Sequence, residues 1–300
     1  MNSLPKYFDP QTLARLESLS LRARHVVEGY VAGSHRSPSH GFSIEFAEHR
    51  EYTPGDDLRY VDWKVFGRTD KFYLKQFEDE TNLICHLVLD ISESMRYRGP
   101  DSALSKLDYA ATAVASMAWL ILKQQDAVGL ATFDEQVCSL IRPASNPSHL
   151  QQLMQTLETS HSHKKTSTGR VLHELADRFT RRGIVILFSD LFDNLDELML
   201  GIQHLRHRRH DVIVVQTLDA AELEFPFHRP TLFRGMEQLS DLLTDPRGLR
   251  QSYLKHFRQF LQTVESRCRQ LQADYVMIRN DMPLDVTLSS FLAHRMARTL

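Results

Sequence analysis

Apolar and polar positions follow two different rhythms on either side of residue 80. Upstream the pattern is broken. From Pro10 to about Val27, Leu13, Leu16, Leu19 and Val26 recur at helical spacing among Arg and Glu, and Gly29 and Gly33 end the run, which predicts a surface helix. His35 to His40 reads as a polar loop. Strand-like stretches around Phe42 to Phe46 and Phe72 to Phe77 flank Tyr52-Thr53-Pro54-Gly55-Asp56-Asp57, where the Pro-Gly pair predicts a tight turn. Asp56 or Asp57 is suited to cap a short helix carrying Tyr60, Val61, Trp63 and Val65, with Trp63 expected in a core. Residues 1–80 are therefore expected to form an N-terminal helix and an accessory region, and residues 81–300 the main domain.

From Leu83 strands and helices alternate. Leu83 to Leu89 is a continuous apolar run, as expected of a strand covered on both faces. Leu107, Ala110, Ala111, Val114, Met117, Ala118 and Ile121 repeat at three and four, which predicts a deeply packed helix. Val128 to Phe133 and Gln136 to Ile141 read as strands joined by a hairpin at Asp134-Glu135. Helical patterns follow at 148–157 and 170–181, a buried strand at Gly183 to Phe188, a helix from Leu195 to Arg208 and a strand from Val212 to Thr217. A long helix from Leu249 to Leu271, a strand from Tyr275 to Ile278 and a closing helix from about Val286 to Met296 complete the pattern. Such alternation predicts an α/β fold, a doubly wound, mainly parallel sheet with one hairpin strand at an edge.

Composition narrows the function classes. The 300 residues are 42% apolar and 25% charged, sufficient for one large core, and 36 basic residues against 38 acidic ones leave no broad electrostatic footprint for nucleic acid or an anionic membrane. The run His204-Leu205-Arg206-His207-Arg208-Arg209-His210 reads as a cationic helix end that complements the macrodipole. Cys85, Cys138 and Cys268 are odd in number and lie in apolar surroundings, which suggests reduced, buried thiols. The opening residues have no apolar signal core, and the longest apolar stretch, Ala110 to Leu122, is interrupted by Thr112 and Ser116 and falls short of a membrane span. A cytoplasmic location with no membrane span is the expectation.

The candidate chemistry lies where two apolar strands stop. The first ends in Asp90-Ile91-Ser92-Glu93-Ser94 and the second in Ser189-Asp190; between them in sequence lies Thr166-Ser167-Thr168-Gly169. In open sheets ligands collect beyond the carboxyl ends of the strands, so these loops are expected to converge. Carboxylates and hydroxyls are hard donors that favour Mg²⁺ or Mn²⁺ over zinc. With three neutral hydroxyls among five donors, the ion keeps positive charge at an open position, where a partner's carboxylate can bind. Against this stands a structural alternative: Asp90 or Asp190 caps a helix or bonds local amides, and Thr166 or Ser167 caps the helix at Arg170. His161 and His163 have no Cys or carboxylate at metal spacing and are expected to be solvated.

The series Asp90-x-Ser92-x-Ser94, Thr166-Ser167-Thr168-Gly169 and Ser189-Asp190 resembles the metal-ion-dependent adhesion site of von Willebrand factor A domains. The resemblance makes Asp90, Ser92, Ser94, Thr166 and Asp190 the metal ligands, with Thr168 the second choice in the threonine loop. Asp190 is followed by Leu191, where many extracellular A domains have glycine. Upstream, Arg50-x-Tyr52-x-Pro54-Gly55-Asp56-Asp57-x-Arg59-x-x-Asp62-Trp63 and Arg68 resemble the signature of a bacterial A-domain-like family of unknown function, the domain of unknown function 58 type, encoded beside MoxR-type AAA+ ATPases. It implies a non-enzymatic, Mg²⁺-dependent protein–protein interaction module acting with a MoxR-type AAA+ ATPase or its clients in a chaperone-like or assembly role. In the signature itself, Arg59, Asp62 and Arg68 also suit an ion-pair network that holds a turn. Two rival functions remain: a metal-dependent hydrolase or phosphatase, because an Asp after a buried strand can be a nucleophile, and a scaffold without metal-regulated binding. Against the first, Ser92 stands two after Asp90 where many phosphoryl-transfer sites have a second acid, and no phosphate loop or nucleophile elbow occurs.

Overall fold

The computed structural model describes residues 44–52, 61–69, 71–79, 83–146, 148–160, 166–236 and 240–284. The expected helices at 10–27 and 286–296, the loop at 35–40, the turn at Pro54-Gly55, Arg59, and His161 and His163 lie outside these residues.

Described residues 44–79 form one compact unit and those from Leu83 onward another. In the first, β1 (Ile44–Glu51) pairs antiparallel with β2 (Tyr73–Asp79), with a bulge between Phe46 and Glu48. Helix α1 (Trp63–Thr69) lies between them in sequence. Asp62 serves its amino end: Asp62 Oδ1 accepts the N–H groups of Lys64 at 2.9 Å and Val65 at 3.3 Å, while Asp56 and Asp57 lie outside the described residues. Trp63 is not a core residue but 61% exposed. It stands at the first position of a short helix and meets Phe66 and Phe72 with its ring nearly perpendicular to theirs, while those two stack on each other at 4.3 Å.

The second unit is built on a six-stranded sheet. Its strands are β3 (Ile84–Asp90), β4 (Ala127–Phe133), β5 (Val137–Ala144), β6 (Ile184–Ser189), β7 (Asp211–Leu218) and, last in the chain, Asp274–Arg279. Between β7 and that last strand lies a hairpin of β8 (Thr231–Phe233) and β9 (Leu242–Thr244), so the last strand is β10. The sheet order is β10-β7-β6-β3-β4-β5; only the edge strand β5 runs antiparallel. Counted from β3, that is the order 3-2-1-4-5-6, which reverses direction between β3 and β6. The predicted strands occur with their ends moved by a few residues. The hairpin β8–β9 escaped the sequence reading because three-residue strands are too short to show a period.

Helices cover both faces. They are α2 (Lys106–Lys123), α3 (His149–Thr159), α4 (Thr168–Arg178), α5 (Leu195–His207), α6 (Ala220–Glu224) and α7 (Pro246–Gln270). Cys85, Leu87 and Leu89 of β3 pack with α2 and α3, whereas Val88 packs with α4, α5 and α7. This alternation explains the unbroken apolar runs: each face of the strand meets a helix layer, so both sets of side chains are selected for burial. Cys85 and Cys268 are buried, but Cys138 is exposed, since β5 is an edge strand whose alternate residues face water. Among the described residues no helix is long and apolar enough to cross a membrane.

Candidate metal centre

Three segments meet at the carboxyl ends of β3 and β6, the neighbouring strands between which the order reverses. Asp90 is the last residue of β3 and Ser189 the last of β6, both without solvent exposure. The loop after β3 is tied to the end of β4 by the Ile91 N–H on Phe133 O at 2.8 Å, and the threonine loop by the Ser167 N–H on Asp134 O at 3.1 Å. These main-chain bonds bring residues far apart in sequence to one rim.

The oxygens are close together. Asp90 Oδ1 accepts the Ser92 N–H at 2.9 Å; Oδ2 accepts the Ser189 hydroxyl at 2.6 Å and the Thr166 hydroxyl at 3.4 Å. Ser92 Oγ lies 3.2 Å from Ser94 Oγ, and Thr166 Oγ1 lies 3.2 Å from Thr168 Oγ1. Asp190 is fully buried, and Gln216 Nε2 donates to its main-chain oxygen at 2.8 Å, itself held by the Tyr275 hydroxyl at 2.6 Å. Burial first, and the charge of Asp190 second, push the Asp90 carboxyl up to about 7. An acid raised in this way beside a second buried carboxylate is favourably neighboured by a cation.

The local roles weighed against a metal are present only in part. Both acids bond a following amide, since Asp190 Oδ1 accepts the Phe192 N–H at 3.2 Å as Asp90 accepts that of Ser92. Ser167 stands at the amino cap of α4 but makes no side-chain cap bond; Asp193 Oδ2 accepts the Thr168 N–H instead, at 2.6 Å. The Thr166 hydroxyl is thus left facing Asp90, with that of Thr168 beside it. Leu191 has φ +62°, the left-handed region that favours glycine, and buries its side chain completely in the core. The loop after Asp190 therefore has the backbone form that a glycine would adopt without strain. Gly169 fixes the other loop: a Cβ there would run into the backbone of Glu197, so α4 and α5 could not approach as they do.

Sequence reasoning missed Lys106. It opens α2 behind the Ser105 cap, has no solvent exposure, and places Nζ 2.8 Å from Asp190 Oδ2 and 2.7 Å from Glu222 Oε1. Burial alone would depress its pKa, but Asp190 and Glu222 outweigh that and hold it protonated, above the ordinary value. A lysine in the first turn of an otherwise apolar helix opposes the macrodipole, and that mismatch was the available signal. Glu222 completes a capping box with Asp219 at the start of α6. The ring of Phe192 lies 4.8 Å from Lys106 Nζ and also lines an apolar cleft of about 590 Å³ with Phe225, Tyr253, Phe257 and Phe260.

The donor set of Asp90, Ser92, Ser94, Thr166 and Asp190 fits a hard divalent ion: it is all oxygen, two members are acids, and no sulfur or imidazole belongs to it. Among the described residues no group of three or more His, Cys, Asp or Glu is arranged for a metal, so a zinc-type site is not in evidence there.

Comparison with solved structures finds likeness to the conserved hypothetical protein BatB from Bacteroides thetaiotaomicron, at 15% identity and TM-score 0.46 over 72% of this chain and 98% of that one. An aerotolerance-related membrane protein from Bacteroides fragilis matches at 14% identity and TM-score 0.46, over 71% of this chain and 99% of that one. Uncharacterised proteins of Mycobacterium tuberculosis and Mycobacterium bovis are each 24% identical over 292 residues, covering 96% of this chain and 90% of theirs. The profile of one family matches residues 48–260, which span both the Arg50 to Arg68 segment and the rim that holds Asp90, Thr166 and Asp190, and the chain therefore belongs to that family, described as protein of unknown function DUF58.

Proposed function

We propose that the protein is a metal-dependent protein–protein interaction module of the von Willebrand factor A-like type, in which Asp90, Ser92, Ser94, Thr166 and Asp190 hold Mg²⁺ or Mn²⁺. A partner's carboxylate would complete the binding of an ion held by these residues. The observation that carries this reading is the pairing of two adjacent parallel strands, one ending in buried Asp90 and the other followed by buried Asp190, at the point where strand order reverses, with the Thr166 hydroxyl of a third segment and the Ser189 hydroxyl on the Asp90 carboxylate. The partner we propose is a MoxR-type AAA+ ATPase or its client, on the strength of the Arg50 to Arg68 signature. When bound, the ion supplies Lewis acidity toward the partner's carboxylate. The chain's own part is to exclude water from Asp90 and Asp190 and to hold the loops in register through Ser189 and Gln216.

The test is titration of the metal-free protein with MnCl2 by calorimetry, for wild type, Asp90→Ala and Thr166→Ala, followed by capture of the ATPase with and without Mg²⁺. Saturable binding lost in Asp90→Ala, and capture that needs Mg²⁺, are the expected results. Absence of Mn²⁺ binding by the folded wild type sinks the reading. A second reading, a scaffold with no metal-regulated binding, is favoured by Lys106, whose ammonium already supplies a cation to Asp190. Capture of the ATPase to the same extent with and without Mg²⁺ supports it.

A further inference from the structure

We propose that Lys106 sets the strength of the metal centre, weakening its hold on a divalent ion by sharing Asp190 and leaving the ion more charge with which to attract a partner's carboxylate. The inference rests on the metal-dependent reading above.

The argument begins from position. Lys106 is unfavourable where it stands on two counts: a cation at a helix amino end opposes the macrodipole, and a fully buried ammonium loses its hydration. Two carboxylates offset both costs, through contacts of 2.8 Å to Asp190 and 2.7 Å to Glu222. Asp190 has little to spare for a metal. Its Oδ2 takes the ammonium and its Oδ1 takes the Phe192 N–H. An ion bound by Asp190 must share an oxygen with one of these donors, and the ammonium, being charged, repels it.

Charge counting gives the sign. With their acids ionised, Asp90, Asp190 and Glu222 carry three negative charges and Lys106 one positive, so a divalent ion brings the group to neutrality. Without the ammonium the same acids hold the ion with one charge to spare. Among groups this deeply buried, such a difference is weakly screened. Replacing Lys106 by a neutral side chain therefore tightens metal binding. Neutralising Glu222 has the opposite effect, because the ammonium then falls wholly on Asp190. A disturbance of packing alone would not give opposite signs at two neighbours.

The experiment is titration of the full-length protein with MnCl2 at pH 8, comparing wild type, Lys106→Met and Glu222→Gln, with a thermal melt of each to establish that it is folded. Glutamine keeps an oxygen for the Asp219 N–H that Glu222 now accepts at 2.8 Å. Lys106→Met is expected to bind Mn²⁺ roughly tenfold more tightly than wild type and Glu222→Gln several-fold more weakly. A folded Lys106→Met with unchanged or weaker affinity overturns the inference. Should that variant not fold, Glu222→Gln decides: unchanged or tighter binding overturns it. Mn²⁺ binding by Lys106→Met but not by wild type would uphold the role of Lys106 and sink the metal-dependent reading of the native protein. No binding by either would end both.

Discussion

The two ends of strand β3 bury polar side chains by different means. Near its start, His86 is 5% exposed, its ring stacks on Phe179 at 3.8 Å and meets the edge of His210 at 6.0 Å. Among the described residues His86 Nε2 and His210 Nδ1 have no hydrogen-bond partner. Burial first, and His210 second, drive His86 down to about 3. At its end, Asp90 has no exposure and both of its oxygens accept hydrogen bonds, while its neighbour Asp190 has a lysine. A buried imidazole escapes the cost of charge by staying neutral. The buried acids are instead met by donors, with hydroxyl and amide groups on Asp90 and the Lys106 ammonium on Asp190. The contrast separates an end of the sheet that keeps its polar group neutral from one that surrounds its acids with donors.

The strongest way to break the contrast is Asp190→Ala. It leaves the ammonium of Lys106 buried with Glu222 alone, and loss of about 3–5 kcal/mol in urea unfolding at pH 7.5 is expected. A loss under about 1 kcal/mol would mean that the rim is wetter than its burial implies.

Acid tests the other end. Because the folded state disfavours the proton on His86, the unfolded chain binds more protons between pH 6.5 and about 3, so stability is full above 6.5 and falls as pH drops through that window. The expected loss by pH 5 is about 2 kcal/mol. His86→Leu should remove that part of the slope between pH 7.5 and 5. An identical slope in the variant would place the acid sensitivity elsewhere.

The smallest effect sharpens the lesson about burial. Arg267 bonds Asp196 at 2.6 Å between α7 and α5, yet the Asp196 side chain is 80% exposed. Arg267→Ala is expected to cost no more than about 1 kcal/mol, less still in high salt. A cost equal to that of Asp190→Ala would show that contact distance, and not burial, sets the scale.

Much of the sheet is legible in the sequence alone. Leu83 to Leu89 and Gly183 to Phe188 are apolar without a break because both faces of β3 and β6 meet helices, and the acid that ends each run is visible against it. The hydroxyl series was legible as well, since it lies in short local strings. Trp63 was misread, because a bulky ring is not by itself a sign of burial, and Cys138 was misread because an edge strand has an apolar pattern on one face only.

The sequence by itself determined the α/β alternation, the two strand ends and their oxygen donors, because burial on both faces and local turn chemistry act on residues close along the chain. Only the tertiary structure decided that β3 and β6 are neighbours at the reversal of strand order, that Ser189 shares Asp90 with Thr166, and that Lys106 reaches across 84 residues to Asp190. A buried ion pair depends on where two chain segments meet in space, and no periodicity or local composition carries that information.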